Sequence, residues 1–568
     1  MRKYYIAFLL CFSTYLQAQT PNRDIAPEDA AFNANYSNRT TPKVTGKLLN
    51  MTAEELRNMS ITYTIVTPFA KSQVKKITTP KPDGSFSLTL DYPLPYQQIW
   101  FSAGNFYTGL YANKDLYLEL DMKKINAAKE VNFNGDGVKY LGIDGALNIY
   151  LNNFVLYKRS EQLELSSKIS SLIYSSQLPA ESILPDFNAL FDSLSRIQNS
   201  YIAANPSPYQ WILENEGRSD YYGDIITKYV GKMMDDAIWK KIIQFKPYLV
   251  SNSSANLYRN IAFYIKFFPN TRVMVNWKDL SSFPDLDHSE LLAIDSLKKS
   301  ESMQPVSPYT AENIKKWTRQ LNPRLQKLNF EKSLVKNIRV IDSLFLPAKA
   351  DYLKFQLVES TDMNEQKLAF KSILHSMHTT WSKSVLENEY ARTVNKVNEI
   401  NKTLAQSKGG KLNNRFGKSL AETSFGATLY KTSDSKALDF ITKLKQNFPG
   451  KAIIIDRWAT WCGPCLNEMP HSKQLVETSK DLPVVFVYLC TINNSSEEKW
   501  KSKVVEIKQP GIHFLINEEL DADISKYFSF SGYPGYAFID KTGTYKPGAF
   551  KWMSEIENRE SLLTLINK

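Results

Sequence analysis

The sequence predicts a multidomain chain with an N-terminal antiparallel β-sandwich, an α-helical middle region and a C-terminal α/β domain. The chain has 568 residues, far more than one hydrophobic core serves, so about three domains are expected. Apolar residues alternate with polar ones in the first part and recur at helical spacing in the middle. In the last part strand and helix signals alternate, which is typical of a central sheet covered by helices.

The first residues have the pattern of an export signal. Arg2 and Lys3 give a positive start, Ile6–Phe12 is a short apolar run, and Ala18 follows small and polar residues. We therefore predict a cleaved signal peptide at 1–18, a flexible polar lead at 19–41, and a periplasmic or cell-envelope location. An amphipathic first helix is the alternative interpretation.

Short strands are predicted across 42–140, and helices across 141–410. Four runs in the first region have period two and are separated by turn signals, which favours a β-sandwich. These runs are Val44–Leu48, Ile61–Ile65, Phe86–Leu90 and Leu116–Leu120. In the second region Phe191, Ile197 and Tyr201 fall on one helical face, and Asn205–Pro208 interrupts the helical pattern.

The third predicted domain covers 411–568 and follows a polar linker at Lys408–Lys411. Its strands are predicted at Ala452–Arg457, Val484–Cys490 and Tyr536–Asp540, with a helix at Cys465–Glu477. This order predicts an α/β sandwich with a central sheet.

The formal charge of +12 does not indicate a nucleic-acid-binding protein, because basic residues are spread among acidic ones instead of lying in runs. Cysteine use is more informative. Loss of Cys11 with the signal peptide leaves Cys462, Cys465 and Cys490. A secreted protein stabilised by disulfides would have many spaced cysteines, so the close pair is free for chemistry.

The close pair lies in the segment Trp458–Cys465, which follows an apolar strand and opens a helix. A helix N-terminus favours a thiolate, the form of cysteine that attacks disulfides. We therefore expect Cys462 to be an exposed attacking thiolate and Cys465 the resolving thiol. Gly463 keeps access open, and Pro464 is tolerated in the first helical turn.

A Cys-x-x-Cys segment could also be half of a zinc site. The chain has no second pair, and His471 lies six residues beyond Cys465 along the helix. We therefore predict redox chemistry without a bound metal. Cys490 ends an apolar strand, which favours a small core thiol over a third redox centre.

The segment Ile455–Cys465 resembles thioredoxin. Glu468–Pro470 and the segment Gly532–Asp540 resemble the TlpA/ResA-like branch of envelope thiol–disulfide oxidoreductases. Segments 131–137 and 148–151 are similar to N-terminal domains fused to such modules. Two positions depart from the family pattern, since Arg457 replaces a usual aromatic and Gly535 a common Thr.

The resemblance implies roles for further residues. Pro534 would be a cis proline that faces the cysteine pair, and the backbone before it, at Tyr533, would dock the substrate. Asp456 matches a buried acid that assists proton transfer at the resolving thiol. Trp461 would shield the active face, or would pack in the core. Glu468 could lie on the helix surface or in the substrate groove.

The predicted function is a periplasmic reductase of disulfide-containing proteins, recharged by a membrane electron donor and needing no bound cofactor. Two alternatives remain open at this point. The chain could be an envelope binding or scaffold protein with an accessory thioredoxin module, or a disulfide isomerase or oxidase.

Overall fold

The computed structural model describes residues 40–567 except 71–72, 129–134, 247–248, 282, 284, 302–307, 359–361, 408 and 410–415. The predicted signal peptide, most of the predicted lead, segment 131–134 and most of the predicted linker lie outside the described residues. The chain divides into two compact units. The first comprises Met1–Met274, Glu331–Val358 and Ile373–Val385, and the second comprises Val275–Phe330, Glu359–Ser372 and Leu386–Lys568.

Eight strands near the N-terminus form two four-stranded sheets. They are β1 (Lys43–Leu49), β2 (Ile61–Val66), β3 (Gln73–Thr78), β4 (Ser85–Leu88), β5 (Gln97–Ala103), β6 (Phe106–Ala112), β7 (Asp115–Asp121) and β8 (Val138–Leu141). The strand orders are β4-β1-β7-β8 and β3-β2-β5-β6. Alternate side chains of both sheets contribute to one hydrophobic core, so the period-two runs form strands as predicted.

The sheets are not wholly antiparallel, which corrects the sequence prediction. Strand β1 pairs with β7 in parallel, from Lys43 opposite Asp115 to Leu49 opposite Asp121. Five strands separate the two in sequence. Hairpin signals determine direction only between strands joined by a tight turn, so nothing local specified this pairing.

The middle of the chain is helical, as predicted. Helix α5 buries Phe191, Ile197 and Tyr201 and ends at Ala204, directly before the predicted break. None of the helices within the described residues combines the length and apolarity needed to span a membrane. In chain order the helices up to the C-terminal domain are α1 (Ala53–Asn58), α2 (Met122–Ala127), α3 (Gly145–Leu156), α4 (Arg159–Ser170), α5 (Ala180–Ala204), α6 (Gln210–Lys228), α7 (Asp236–Gln244), α8 (Asn252–Ile265), α9 (His288–Glu301), α10 (Pro308–Leu344), α11 (Pro347–Phe355), α12 (Met363–Leu374) and α13 (Thr380–Gln406).

The C-terminal domain is a seven-stranded sheet with the order β15-β14-β11-β12-β13-β10-β9. Its strands are β9 (Ala421–Glu422), β10 (Ala427–Lys431), β11 (Ala452–Trp458), β12 (Val484–Thr491), β13 (Gly511–Ile516), β14 (Gly535–Ile539) and β15 (Tyr545–Lys546). Its helices are α14 (Ala437–Asn447), α15 (Gly463–Thr478), α16 (Glu497–Ile507), α17 (Glu518–Tyr527) and α18 (Arg559–Asn567).

Helices cover both faces of this sheet, which confirms the predicted α/β architecture. One core cluster joins the sheet to α15, α16 and α18, and a second joins it to α14 and α17. Strand β11 is central and every one of its residues is buried, which explains the apolar run Ala452–Ile455 at its start. It pairs in parallel with β12 and antiparallel with β14.

Candidate active site

Cys462 lies at the start of helix α15 and caps it. Its Sγ accepts a hydrogen bond from the backbone N–H of Cys465 at 3.1 Å, and the two sulfurs are joined in a disulfide. Pro464 occupies the first turn, where it has no intrahelical hydrogen bond to lose. A sulfur at this position lies at the positive end of the helix dipole, which favours a thiolate once the disulfide is reduced.

The two cysteines differ in exposure. Cys462 is 4% exposed and Cys465 is 0% exposed, so of the pair Cys462 alone reaches the surface. Its exposure is smaller than the sequence led us to expect, because in the disulfide form its side chain packs into the core cluster beneath the helix. Access comes from the flanking residues. Gly463 and Pro464 are exposed, and a Cβ built on Gly463 would meet no atom of the described residues within 4 Å.

Asp456 is a buried carboxyl on the same side of the sheet as the disulfide. Ile454 and Trp458, two residues before and after it on β11, pack in the core cluster that contains Cys465. Asp456 is 1% exposed, and in the described part of the chain neither carboxyl oxygen has a hydrogen-bond partner. Burial, and secondarily the charge of Glu468, raise its pKa well above the ordinary value.

Glu468 follows Cys465 by one helical turn on α15. Its carboxylate accepts hydrogen bonds from the Ser554 backbone N–H at 2.9 Å and the Ser554 hydroxyl at 3.3 Å. The sequence left open whether Glu468 lies on the helix surface or in the substrate groove. This contact with Ser554 favours neither a free helix surface nor an open groove. It fixes the Met553–Glu555 turn against α15.

The loop before β14 carries the second motif. The Tyr533–Pro534 peptide bond is cis, as the resemblance implied. Gly535 begins β14 and lies opposite Arg457 on β11, the strand that leads into the cysteine segment. A Cβ built on Gly535 would lie 2.8 Å from Cγ of Phe530, so the Phe530 ring occupies the space that a larger residue would need.

Trp461 brings the two motifs together. Its ring is 42% exposed, which excludes the core-packing alternative, and it meets the Tyr533 ring edge to face at a centroid distance of 5.4 Å. Its Nε1–H donates to the Asn493 carbonyl at 2.8 Å. The exposed surface beside Cys462 therefore combines Trp461, Gly463 and Pro464 with Tyr533 of the loop before Pro534.

Sequence reasoning missed Asp521, the buried partner of Arg457. Arg457 is 6% exposed, and its guanidinium donates to both carboxylate oxygens of Asp521, at 2.7 and 3.0 Å. A cation within an apolar strand is a signal for a buried acid elsewhere in the chain, although it does not say which one.

Cys490 is fully buried, and burial raises the pKa of its thiol, as for a core residue.

Comparison with known proteins agrees with this geometry. Residues 432–546 match the Redoxin family model. The thiol–disulfide oxidoreductases ResA of Bacillus thuringiensis subsp. konkukian and Bacillus cereus are each 28% identical to this chain over 98 residues. That alignment covers 17% of this chain and 54% of theirs, so the chain spans about half the length of the curated relatives it matches.

Two solved structures are each similar to part of this chain. One is the thioredoxin domain of a thiol–disulfide oxidoreductase from Bacteroides vulgatus, at 20% identity, 22% coverage of this chain, 84% of that chain and a TM-score of 0.19. The other is a thiol:disulfide interchange protein from Chlorobium tepidum, at 21% identity, 22% and 84% coverage and a TM-score of 0.18. The Redoxin match and the similarity to ResA support a TlpA/ResA-like thioredoxin fold for the C-terminal domain of this chain.

Proposed function

We propose that the chain is a periplasmic thiol–disulfide oxidoreductase that reduces protein disulfides through Cys462 and Cys465. The observation that carries the proposal is the position of the Cys462 sulfur at the start of α15, 3.1 Å from the Cys465 backbone nitrogen. Cys465 lies behind it with no exposed surface. An incoming disulfide therefore meets Cys462 first, and Cys465 acts on the intermediate.

The proposed reaction has two exchange steps. The Cys462 thiolate attacks one sulfur of the substrate disulfide, forms a mixed disulfide and releases one substrate thiolate, which takes up a proton. The Cys465 thiolate then attacks the Cys462 sulfur, forms the Cys462–Cys465 disulfide and releases the second substrate thiolate. Two electrons pass from the enzyme dithiol to the substrate, and a membrane electron donor returns two electrons to the enzyme.

Asp456 is proposed to accept the Cys465 proton. Burial, and secondarily the charge of Glu468, raise its pKa well above the ordinary value, which brings a carboxyl toward the range useful for a base near neutral pH. Among the residues that the structure describes, its carboxyl oxygens have no hydrogen-bond partner. Its location on the Cys465 side of the sheet supports the same role.

Substrate is proposed to dock along the loop before Pro534, where Tyr533 provides backbone groups and Trp461 lines the approach. Their edge-to-face contact supports a single docking surface beside Cys462. Backbone pairing binds an extended polypeptide with little dependence on its sequence, which suits disulfide-containing proteins as a class.

The reducing direction is proposed from the residues between the cysteines. Gly463 and Pro464 are the pair of reducing thioredoxins, whose potential is about −270 mV. The proposed membrane donor and the signal peptide at 1–18 would then locate the protein in the envelope. No bound cofactor enters either exchange step.

The domain organisation is proposed as a β-sandwich at 42–140, a helical region at 141–410 and the thioredoxin-like domain at 411–568. Ring stacking between Phe86 on β4 and Phe101 on β5, 5.7 Å apart and on different sheets, supports face-to-face packing.

The first compact unit contains neither Cys462 nor Cys465, and this favours, as a second candidate, a binding or scaffold protein with an accessory redox domain.

Insulin reduction by the full chain with dithiothreitol as donor tests the proposal. We expect activity that is lost in Cys462→Ser. Cys465→Ser, when reduced and freed of dithiothreitol before it is mixed with insulin, should accumulate a mixed disulfide with the substrate. Cys490→Ala is the matched control and should keep its activity. An inactive wild type with a fully reduced pair would favour the scaffold candidate. Reshuffling of scrambled ribonuclease without net reduction would favour an isomerase.

A further inference from the structure

Arg457 points away from the disulfide. It lies between Asp456 and Trp458 on β11, and its neighbours of the same parity, Ile453 and Ile455, pack in the core cluster on the other face of the sheet. Its side chain therefore reaches helix α17 and the loop before β14 without lying on the sulfur side.

The guanidinium is held in a closed network. Its Nε and Nη2 donate to the two carboxylate oxygens of Asp521 at 2.7 and 3.0 Å, which is the bidentate geometry that fixes a guanidinium. Nη2 also donates to the Tyr533 hydroxyl at 2.9 Å, and that hydroxyl donates to Asp521 at 2.6 Å. The network thus joins β11, α17 and the loop through three side chains.

Two further contacts connect Arg457 to the loop itself. Nη1 donates to the Gly532 carbonyl at 3.0 Å, and the guanidinium carbon lies 3.9 Å from the centre of the Tyr533 ring. Gly532 and Tyr533 are the two residues before the cis Pro534. One rigid side chain therefore holds both the backbone and the ring of this loop.

We propose that Arg457 and Asp521 are positioning residues that fix the Gly532–Pro534 loop for docking of polypeptide substrates. This inference rests on the proposed function and deepens it. The pair acts through Gly532 and Tyr533 and does not touch the reacting sulfurs. It should therefore affect the binding of substrates that need backbone docking and leave the exchange of sulfur atoms unchanged.

The test compares two disulfides on the reduced full-length protein. Insulin needs a docked backbone, whereas dithiobis(2-nitrobenzoate) offers a disulfide without one. Arg457→Lys keeps the charge but loses the bidentate contact, and Asp521→Asn removes the charge while keeping the shape. Lys526→Met is the matched control, because Lys526 is an exposed cation on the same helix α17 as Asp521.

We expect the KM for insulin to rise about tenfold in both variants, the effect of one lost docking hydrogen bond. Their kcat for insulin and their rate with dithiobis(2-nitrobenzoate) should stay at the wild-type values, as should both activities of Lys526→Met. If either variant fails to fold, Tyr533→Phe takes its place in the test. It removes one hydroxyl from the network and should also raise the KM for insulin.

An unchanged KM for insulin in the folded variants would overturn this inference alone. Equal losses with both disulfides would also overturn it, because the pair would then act on the sulfur chemistry or on folding. A wild type that reduces neither disulfide would instead overturn the proposed function, and the inference would fail with it.

Discussion

His513 should make the C-terminal domain sensitive to acid. Its side chain is fully buried on β13, stacks on Tyr488 at a centroid distance of 4.6 Å, and contacts the Gln509 carbonyl through Nε2 at 3.0 Å. Burial disfavours the imidazolium and lowers the pKa to about 3, although the Gln509 carbonyl opposes this. In the unfolded chain the pKa returns to the ordinary 6.5.

The free energy of unfolding should therefore fall as the pH falls through 6.5, and the loss should continue to about pH 3. In this window the unfolded chain binds the proton and the folded domain does not, so acid favours unfolding. With pKa values of 6.5 and about 3, this one histidine lowers the unfolding free energy by about 2 kcal/mol at pH 5 relative to neutral pH. The loss approaches its full value of about 5 kcal/mol only below pH 3.

Hydrogen exchange of peptides that cover β13 measures this loss within the C-terminal domain. The comparison is with His513→Phe, which keeps a stacked ring, cannot bind a proton, and loses one hydrogen bond at every pH. After correction for intrinsic exchange, the opening free energy of the wild type should fall between pH 7 and 5 by about 2 kcal/mol more than that of the variant. Parallel pH profiles for the two proteins would refute the reasoning.

Three further predictions concern other buried groups. Asp456→Asn should slow insulin reduction about a hundredfold. A wild-type rate of insulin reduction would contradict this expectation. The same variant should also be more stable than the wild type, by an amount that grows as the pH rises above 3.8. Above this pH Asp456 ionises in the unfolded chain but not in the folded domain, and this favours unfolding of the wild type. Gly535→Thr should lower the free energy of unfolding in urea titrations by about 1–3 kcal/mol, because the threonine Cβ would lie 2.8 Å from Phe530. If the losses caused by Gly535→Thr and Phe530→Ala simply add in the double variant, this clash is not the cause. Lys349→Met should lower the free energy of unfolding in urea by about 1–3 kcal/mol. The buried Lys349 Nζ donates hydrogen bonds, at 2.8 and 2.9 Å, to two carbonyls at the end of α7. Lys241 on the same helix is exposed, so Lys241→Met should leave this free energy unchanged.

Three of the seven strands of the C-terminal domain, β11, β12 and β14, could be predicted to within about one residue, whereas β9, β10, β13 and β15 were not predicted. The run predicted at Ala452–Arg457 forms β11 at Ala452–Trp458, and the one predicted at Tyr536–Asp540 forms β14 at Gly535–Ile539. These strands are short apolar runs bounded by breakers, so the information that defines them is local. The start of α15 was predictable for the same reason, since Pro464 and the cap lie within the motif.

Pairings between distant parts of the chain could not be predicted in this way. The parallel pairing of β1 with β7 and the pairing of Arg457 with Asp521 both join residues more than sixty positions apart. Neither depends on a local pattern. The small exposure of Cys462 was also missed, because a motif specifies where a sulfur lies on a helix but not how far neighbouring side chains cover it.

For the function proposed above, the alternation of side chains along β11 separates two tasks, proton exchange and the fixing of the docking loop. Asp456 lies on the face of the sheet that carries the disulfide, where the proposed mechanism has a carboxyl with a raised pKa exchange a proton. A cation beside Asp456 would return its pKa toward the ordinary range. Arg457, the next residue, faces the opposite side, so its charge is compensated by Asp521 and not by Asp456. A strand that changes face at every residue thus lets a buried acid and a paired cation be neighbours in sequence without neutralising each other. In the proposed mechanism, the Gly532–Pro534 loop is therefore fixed from one face of the sheet while proton exchange at Asp456 proceeds on the other.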